Sequence, residues 1–207
     1  MTARRIGLFG GTFDPPHVGH LALAEWARAQ LALDHVLFVP AGRPPHKGRV
    51  RLSPVEHRVA MTRLAVRGNR AFAVSALETR RHGPSFTVDT LRALKRREPR
   101  SHIFLLMGAD SLAEFHTWRD PDGIAAFATL AVAERPGSSG PRRRAAARGS
   151  GAARAGRSGA RSVTWLRNPG LAVSSSAIRA RLRAGQTVRY LVPDAVARYI
   201  ARHRLYR

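Results

Sequence analysis

Gly10-Gly11-Thr12-Phe13-Asp14-Pro15-Pro16-His17-Val18-Gly19-His20 lies between a short apolar run, Ile6-Gly7-Leu8-Phe9, and the segment Leu21 to Leu33. The run reads as a strand and the segment as a helix, so the quoted stretch is a strand-to-helix turn. Such a turn can handle an anion. Glycines let backbone N–H groups come close to it. A helix start adds N–H groups without intrahelical partners and the positive end of a dipole. His17 and His20, three residues apart, should share one face of the first turn. Taken alone, His-x-x-His also reads as a solvated helix start or a metal pair. Gly-x-x-x-x-Gly-Lys-Ser/Thr is absent from the chain and Gly-x-Gly-x-x-Gly from this turn, which excludes the two commonest phosphate-loop designs here.

Outward from the turn, His35-Val36-Leu37-Phe38-Val39-Pro40 reads as a second strand. Strand, helix and strand within about forty residues make a βαβ unit and hence a parallel sheet. Ala41 to Lys47 is a loop. Ser53 to Val66 reads as a helix capped by Ser53 with Pro54 at its first position, and Val55, Val59, Thr62 and Val66 form its inner face. Phe72–Ser75 is a third strand. Ser85–Leu91 leads into a helix ending near Arg97. Ile103–Met107 is a continuous apolar run, as a strand buried on both faces should be. Short helices follow at Leu112–Phe115 and Pro121–Ala126, then strands at Thr129–Ala133 and Val163–Leu166. Helices open at Ser174 and close the chain from Pro193 to His203. The alternation predicts a single α/β domain over residues 1–207, a Rossmann-like doubly wound parallel sheet. Ligands on such sheets bind beyond the strand carboxyl ends. The first turn, Gly108-Ala109-Asp110 and Arg135-Pro136 all follow strands and should gather at that edge.

With 207 residues and 44% hydrophobic composition, the chain can bury a full core. It has no cysteine, which excludes disulfides and thiolate metal sites. No stretch approaches the length of a membrane span, and the apolar run after Arg4-Arg5 is too short for a signal peptide, so a cytoplasmic enzyme is expected. The net charge of +23 raises the question of nucleic acid. Seven of the arginines lie in residues 137–161, a low-complexity insertion of Arg, Ala, Gly, Ser and one Pro. That insertion reads as a flexible or weakly helical surface segment, with a nucleic-acid or membrane-surface tether as the alternative. A basic surface suited to small anionic substrates is the expectation, with no specific nucleic acid and no membrane.

A second constellation is Ser174-Ser175-Ser176-Ala177-Ile178-Arg179. Hydroxyls and N–H groups at a helix start, with an arginine one turn on, make an anion cradle. Three serines alone are equally a helix cap.

Together, the first turn and this segment resemble the two signatures of the nucleotidyltransferase superfamily marked by His-x-Gly-His. The Gly-Gly-Thr-Phe-Asp-Pro lead-in is similar to the bacterial nicotinate mononucleotide adenylyltransferases. The second signature is usually Ser-Ser-Thr-x-Ile-Arg, and Ser176 here keeps the hydroxyl. Further matches are Pro44-Pro45-His46-Lys47, Pro84 to Leu91 (Phe86 where tyrosine is common), Gly108 to Leu112 with Phe115 and Trp118, Arg135-Pro136-Gly137, and the terminal Tyr190–Pro193 and His203–Tyr206. The resemblance implies transfer of AMP from ATP to nicotinate mononucleotide, giving nicotinate adenine dinucleotide and pyrophosphate in NAD biosynthesis. It implies His17 and His20 as catalytic donors to phosphate oxygens, His20 nearest the α-phosphate. It implies Gly10, Gly11, Thr12, Phe13, Lys47, Arg135, Ser175, Ser176 and Arg179 at ATP and its phosphates. Ser85, Thr87, Gly108, Asp110 and Trp118 would hold the mononucleotide, Asp110 at a ribose and Trp118 on the pyridine ring. Mg²⁺ would accompany ATP, with no metal ligands from the protein, and a homo-oligomer stays open. Singly, Trp118 reads as packing, Asp110 as a helix cap, Lys47 and His46 as solvated loop residues, and His57 and Arg58 as structural. The rivals are pantetheine-phosphate adenylyltransferase, which shares both signatures but is shorter and lacks the Pro84–Leu91 and Asp110…Trp118 matches, and a basic nucleic-acid-binding protein on the same fold.

Overall fold

The computed structural model describes residues 3–44, 52–81, 83–133, 163–167 and 170–207. Six strands form one parallel sheet: β1 (Arg5–Gly11), β2 (His35–Pro40), β3 (Phe72–Val74), β4 (His102–Gly108), β5 (Ala128–Ala133) and β6 (Val163–Leu166). Their order is β3-β2-β1-β4-β5-β6. The chain therefore winds outward in one direction from β1, returns, and winds outward in the other from β4. That is the doubly wound arrangement the alternation predicted, with its switch point between β1 and β4.

Side chains alternate along each strand and build two cores. Ile6 and Leu8 of β1 join Ile103, Leu105 and Met107 of β4 on one face. Helices α3 (Thr87–Arg97) and α5 (Pro121–Phe127) cover that face through Val88, Leu91, Leu94 and Ile124. Phe9, Phe38, Phe104 and Leu106 point to the other face, covered by α1 (Val18–Gln30). Ala24 and Ala27 of α1 are fully buried, and these small side chains let the helix lie close on the sheet. Gly7 belongs to the same contact, since a Cβ there would stand 2.8 Å from Leu33.

A third core lies off the sheet. It joins Met61 and Ala65 of α2 (Val55–Val66) to Ile178 of α6 (Ser175–Arg183) and to Val196 and Ile200 of α7 (Asp194–Arg202). This cluster seats α6 beside the first turn. Two short elements follow β4: α4 (Ala109–Ala113) and a 3-10 turn at Phe115–Thr117.

Three local expectations are corrected. Helix α1 begins at Val18, not Leu21, with His17 in the capping position. Helix α2 begins at Val55 with Pro54 as its cap, not Ser53. The Ser53 N–H instead donates to the Asp14 carboxylate at 3.1 Å, because a buried acid with no solvent needs donors from the chain. The single short helix expected at Leu112–Phe115 is α4 followed by the 3-10 turn. The insertion at 137–161 lies outside the described residues.

Candidate active site

The β1–β4 ladder ends at the pair Leu8 and Leu105. Both strands continue three residues further, β1 pairing with β2 as far as Gly11–Pro40 and β4 with β5 as far as Gly108–Ala133. The two central strands therefore separate at their carboxyl ends, at the switch point where such sheets bind ligands. Gly10 and Gly108 flank the split. Among the described residues a Cβ on either would meet nothing within 4 Å, so the described packing does not demand glycine at these positions. Both look onto open space where a ligand could lie close against the backbone.

His17 and His20 stand at the head of α1, as a capping residue and the third residue of the first turn. Their rings stack with centroids 3.6 Å apart. The His17 N–H donates to His20 Nδ1 at 3.2 Å. That bond makes Nδ1 of His20 the acceptor, so in the neutral ring the proton sits on Nε2 as a donor. Phe13 packs edge-on against His20 at 5.1 Å. His17 is buried, and burial pushes its pKa down to about 4, so it is neutral at physiological pH. The His17 side chain faces the His20 backbone N–H in a capping-box arrangement, yet its Nδ1 makes no full hydrogen bond among the described residues. A buried polar nitrogen left so costs about 1–3 kcal/mol unless a ligand or water meets it. A Cβ at Gly19 would stand 3.1 Å from that same Nδ1, a tight approach to which the His17 ring would have to yield.

The turn itself is fastened by distant residues. Asp14 is fully buried, and its carboxylate accepts from the Ser53 N–H and, at 2.6 Å, from the Tyr206 hydroxyl. Its carbonyl accepts from Arg179 Nη1 at 2.7 Å, and the Pro15 carbonyl accepts from Ser175 Oγ at 2.9 Å. The Thr12 carbonyl accepts from Arg58 Nη1 at 3.0 Å. Arg58 also donates to the carbonyls of Ser53, Ala41 and Gly42, which confirms its structural reading. The two segments singled out in the sequence are thus in direct contact. Ser174 caps α6 by accepting from the Ala177 N–H, while Arg179 Nη2 donates to Ser176 Oγ.

A second group joins the loops after β2 and β3 to the entry of α3, and a third follows β4 across the split. Ser85 and Thr87 sit at the entry to α3. Ser85 is buried and tied to Arg43 in both directions, its Oγ accepting from the Arg43 N–H and its N–H donating to the Arg43 carbonyl. Gly42 is held in the same knot, where a Cβ would collide with the Glu78 carbonyl. Glu78 is buried and accepts from Thr90 Oγ1, and burial raises its pKa. Asp110 lies exposed in the first turn of α4. Trp118 is half-buried after the 3-10 turn, 5.7 Å from the Phe115 ring. The guanidinium of the adjacent Arg119 lies over Phe86 at 4.5 Å, which brings the Trp118 loop to the entry of α3. Lys47, His46 and Arg135 lie outside the described residues.

Sequence reasoning missed Glu78, named Ser53 only as a helix cap and Tyr206 only within the terminal match, and gave Asp14 no role of its own. Asp14 carried a signal in the quoted turn itself, as an acid between glycine and proline. Among the described residues no group of three or more His, Asp or Glu is placed to hold a metal ion. The donors at the turn are imidazoles, hydroxyls and arginine, which do not fit a protein-held Mg²⁺, a cation that prefers oxygen ligands.

A family model for cytidylyltransferase-like proteins matches residues 8–181. A relative from Thermomicrobium roseum, named probable nicotinate-nucleotide adenylyltransferase, is 45% identical over 203 residues, covering 98% of this chain and 92% of its own. One of the same name from Thermus thermophilus is also 45% identical, covering 98% and 100%. Among solved structures, the Plasmodium falciparum nicotinic acid mononucleotide adenylyltransferase complexed with NaAD has a TM-score of 0.76 at 16% identity, covering 98% of this chain and 97% of its own. That likeness supports the fold, and the sequence relatives go further. With identity at this level over nearly the whole length, the chain belongs to the nicotinate-nucleotide adenylyltransferase family of cytidylyltransferase-like proteins.

Proposed function

We propose that this chain moves the adenylyl group of ATP to the phosphate of nicotinate mononucleotide, releasing pyrophosphate and forming nicotinate adenine dinucleotide. The observation that carries this reading is the stacked His17–His20 pair, backed by α6, at the split between β1 and β4. A phosphate oxygen of the mononucleotide attacks the α-phosphorus of ATP, and the bond from that phosphorus to the bridging oxygen of pyrophosphate breaks. The attacking phosphate is already ionised near neutral pH, so no general base is required. Catalysis is positioning plus donors aimed at growing charge.

His20 presents its Nε2–H to the α-phosphate, in the tautomer set by the His17 N–H. His17, neutral and with a buried nitrogen to satisfy, meets a second phosphate oxygen. Gly10, Gly11, Thr12 and Phe13 shape the nucleotide's approach. Lys47, Arg135, Ser175, Ser176 and Arg179 hold the remaining phosphates. Arg179 uses two of its five N–H donors on Asp14 and Ser176 and keeps the others for ligand. Gly108 and Asp110 take the ribose side, and Ser85, Thr87 and Trp118 the nicotinate side. Mg²⁺ would accompany ATP and neutralise part of its phosphate charge, with no residue of this chain assigned as its ligand. The reaction belongs to the cytoplasm in this reading.

Pyrophosphate release tests this with ATP and three acceptors: nicotinate mononucleotide, nicotinamide mononucleotide and phosphopantetheine. The nicotinate form should give the highest kcat/KM. A preference for phosphopantetheine, or no turnover together with salt-dependent binding to nucleic acid, would refute it.

A further inference from the structure

We infer that Tyr206 is a positioning residue for adenylyl transfer: its hydroxyl, through Asp14, holds the turn that sets the His17–His20 pair. This rests on the adenylyltransferase reading above. Asp14 is fully buried three residues before His17, and its two carboxylate partners among the described residues come from elsewhere in the chain. One carboxylate oxygen takes the Tyr206 hydroxyl at 2.6 Å, across 192 residues of sequence. The other takes the Ser53 N–H. A buried carboxylate with two oxygens and no water needs such donors, and a hydrogen bond to a charged group is among the stronger ones.

The chain after α7 is shaped to deliver that hydroxyl. Arg204 and Tyr206 both adopt left-handed backbone, with φ of 51° and 66°. Neither is glycine, and such conformations persist only where surrounding contacts outweigh their cost. Leu205 and Tyr206 pack on the α2–α6–α7 core, which fixes the approach. Packing alone would be served by phenylalanine, whereas the hydroxyl adds the bond to Asp14. The next link is short. Phe13, beside Asp14, is buried and adopts φ 48°, and its ring packs edge-on against His20. The Asp14 carbonyl also carries the contact to Arg179. A shift of Asp14 would therefore reach His20 through Phe13 and α6 through Arg179. Tyr206 is thus argued to act on the histidines through Asp14 rather than on the substrate.

The test is Tyr206→Phe in the full chain, assayed for pyrophosphate release beside the unaltered protein at a temperature well below both melting midpoints. We expect kcat to fall about tenfold, with KM for ATP and for nicotinate mononucleotide each changing by less than about threefold. The imidazole ¹H–¹⁵N signals of His17 and His20, read in the free protein, should shift. A merely structural role would lower the melting midpoint but leave turnover per folded molecule and these signals unchanged. The inference is overturned by kcat within about twofold of the unaltered protein, by a loss confined to KM, or by a fall in kcat with unmoved imidazole signals. Absence of turnover in the unaltered protein would instead refute the adenylyltransferase reading, so the two failures are distinct.

Discussion

The two sides of the split are held by different kinds of contact. On the β1 side, the turn from Thr12 to His17 is fastened by Arg58, Ser53, Ser175, Arg179 and Tyr206, over separations of 39 to 192 residues. On the β4 side, the segment from Asp110 to Trp118 carries short-range hydrogen bonds, and its Phe115 and Trp118 pack on the sheet core. Glu114 N–H bonds to the Asp110 carbonyl, Thr117 Oγ1 to the Glu114 carbonyl, and Trp118 N–H to the Phe115 carbonyl. Transition-state stabilisation needs donors already in place, and long-range side-chain bonds to backbone provide that rigidity. Recognition of an entering mononucleotide tolerates a local segment that can adjust. In the proposed assignment phosphate chemistry lies on the first side and the pyridine-stacking Trp118 on the second, so substitutions on each side should differ in kind.

The largest effect is expected at Arg58. It is buried and donates to four backbone carbonyls in the loops after β1 and β2. Arg58→Met fills similar volume and leaves those carbonyls without their donor. Each such bond to a charged group is worth about 1.5–3 kcal/mol, partly offset because no charge then has to be desolvated. A net loss of about 4 kcal/mol would lower the melting midpoint by roughly 10 °C in a domain of this size. A shift below about 4 °C would show that the β1-side turn does not depend on this clamp.

His20→Ala comes next and should spare the fold. One preorganised donor is worth about 2.7–4 kcal/mol, or roughly 10²–10³ in kcat. A folded variant that loses less than about tenfold would remove His20 from the chemistry.

The sequence made the sheet legible because each strand is an apolar run and each connecting helix has start and stop residues of its own. Both signatures were legible because they are contiguous. What it did not show is how they meet. Ser175 and Arg179 read as an anion cradle, and in the structure they also bind the carbonyls of Pro15 and Asp14. No local pattern encodes a bond across 160 residues. The bonds of Tyr206 and Ser53 to Asp14 were illegible for the same reason. Ser53 looked like a helix cap because the Ser-Pro pair fits a cap so well. Ser85 also shapes the loop, its Oγ accepting from the Arg43 N–H and its N–H donating to the Arg43 carbonyl, a pairing that no local pattern encodes.

The third prediction concerns pH on the β1 side. The His17 pKa falls from 6.5 to about 4 on folding because burial disfavours its charged form. Between these values the unfolded chain binds more protons than the folded one, so stability rises with pH across the window. This contribution is fully present above pH 6.5 and is lost as pH falls towards 4, up to about 3 kcal/mol. His17→Asn keeps a good capping residue and cannot titrate. Urea midpoints of both proteins at pH 7 and pH 4 isolate this group, since the other carboxyls and histidines are shared. The unaltered protein should lose more stability than the variant. Equal losses would mean that the imidazole is solvated.

The smallest effect is expected on the β4 side, at Trp118. Its indole is half-buried and packs against Phe115 and the α3–α5 core, so part of its surface is committed to the fold and part remains for a ligand. A pyridine ring laid on that exposed part would gain by aromatic stacking about 0.5–1.5 kcal/mol beyond simple burial. Trp118→Leu keeps an apolar group against Phe115 and removes the π-face. The loss should appear as a rise of about fivefold in KM for nicotinate mononucleotide, with kcat and KM for ATP nearly unchanged. That pattern marks binding lost equally from ground state and transition state. It is also the opposite of the pattern expected at His20, where kcat falls. If Trp118→Leu lowered kcat, the β4 side would have to be as preorganised for the reaction as the β1 side, despite its local contacts. If KM for ATP rose instead, the indole would belong to the adenosine site, and the assignment of the two sides of the split would be reversed.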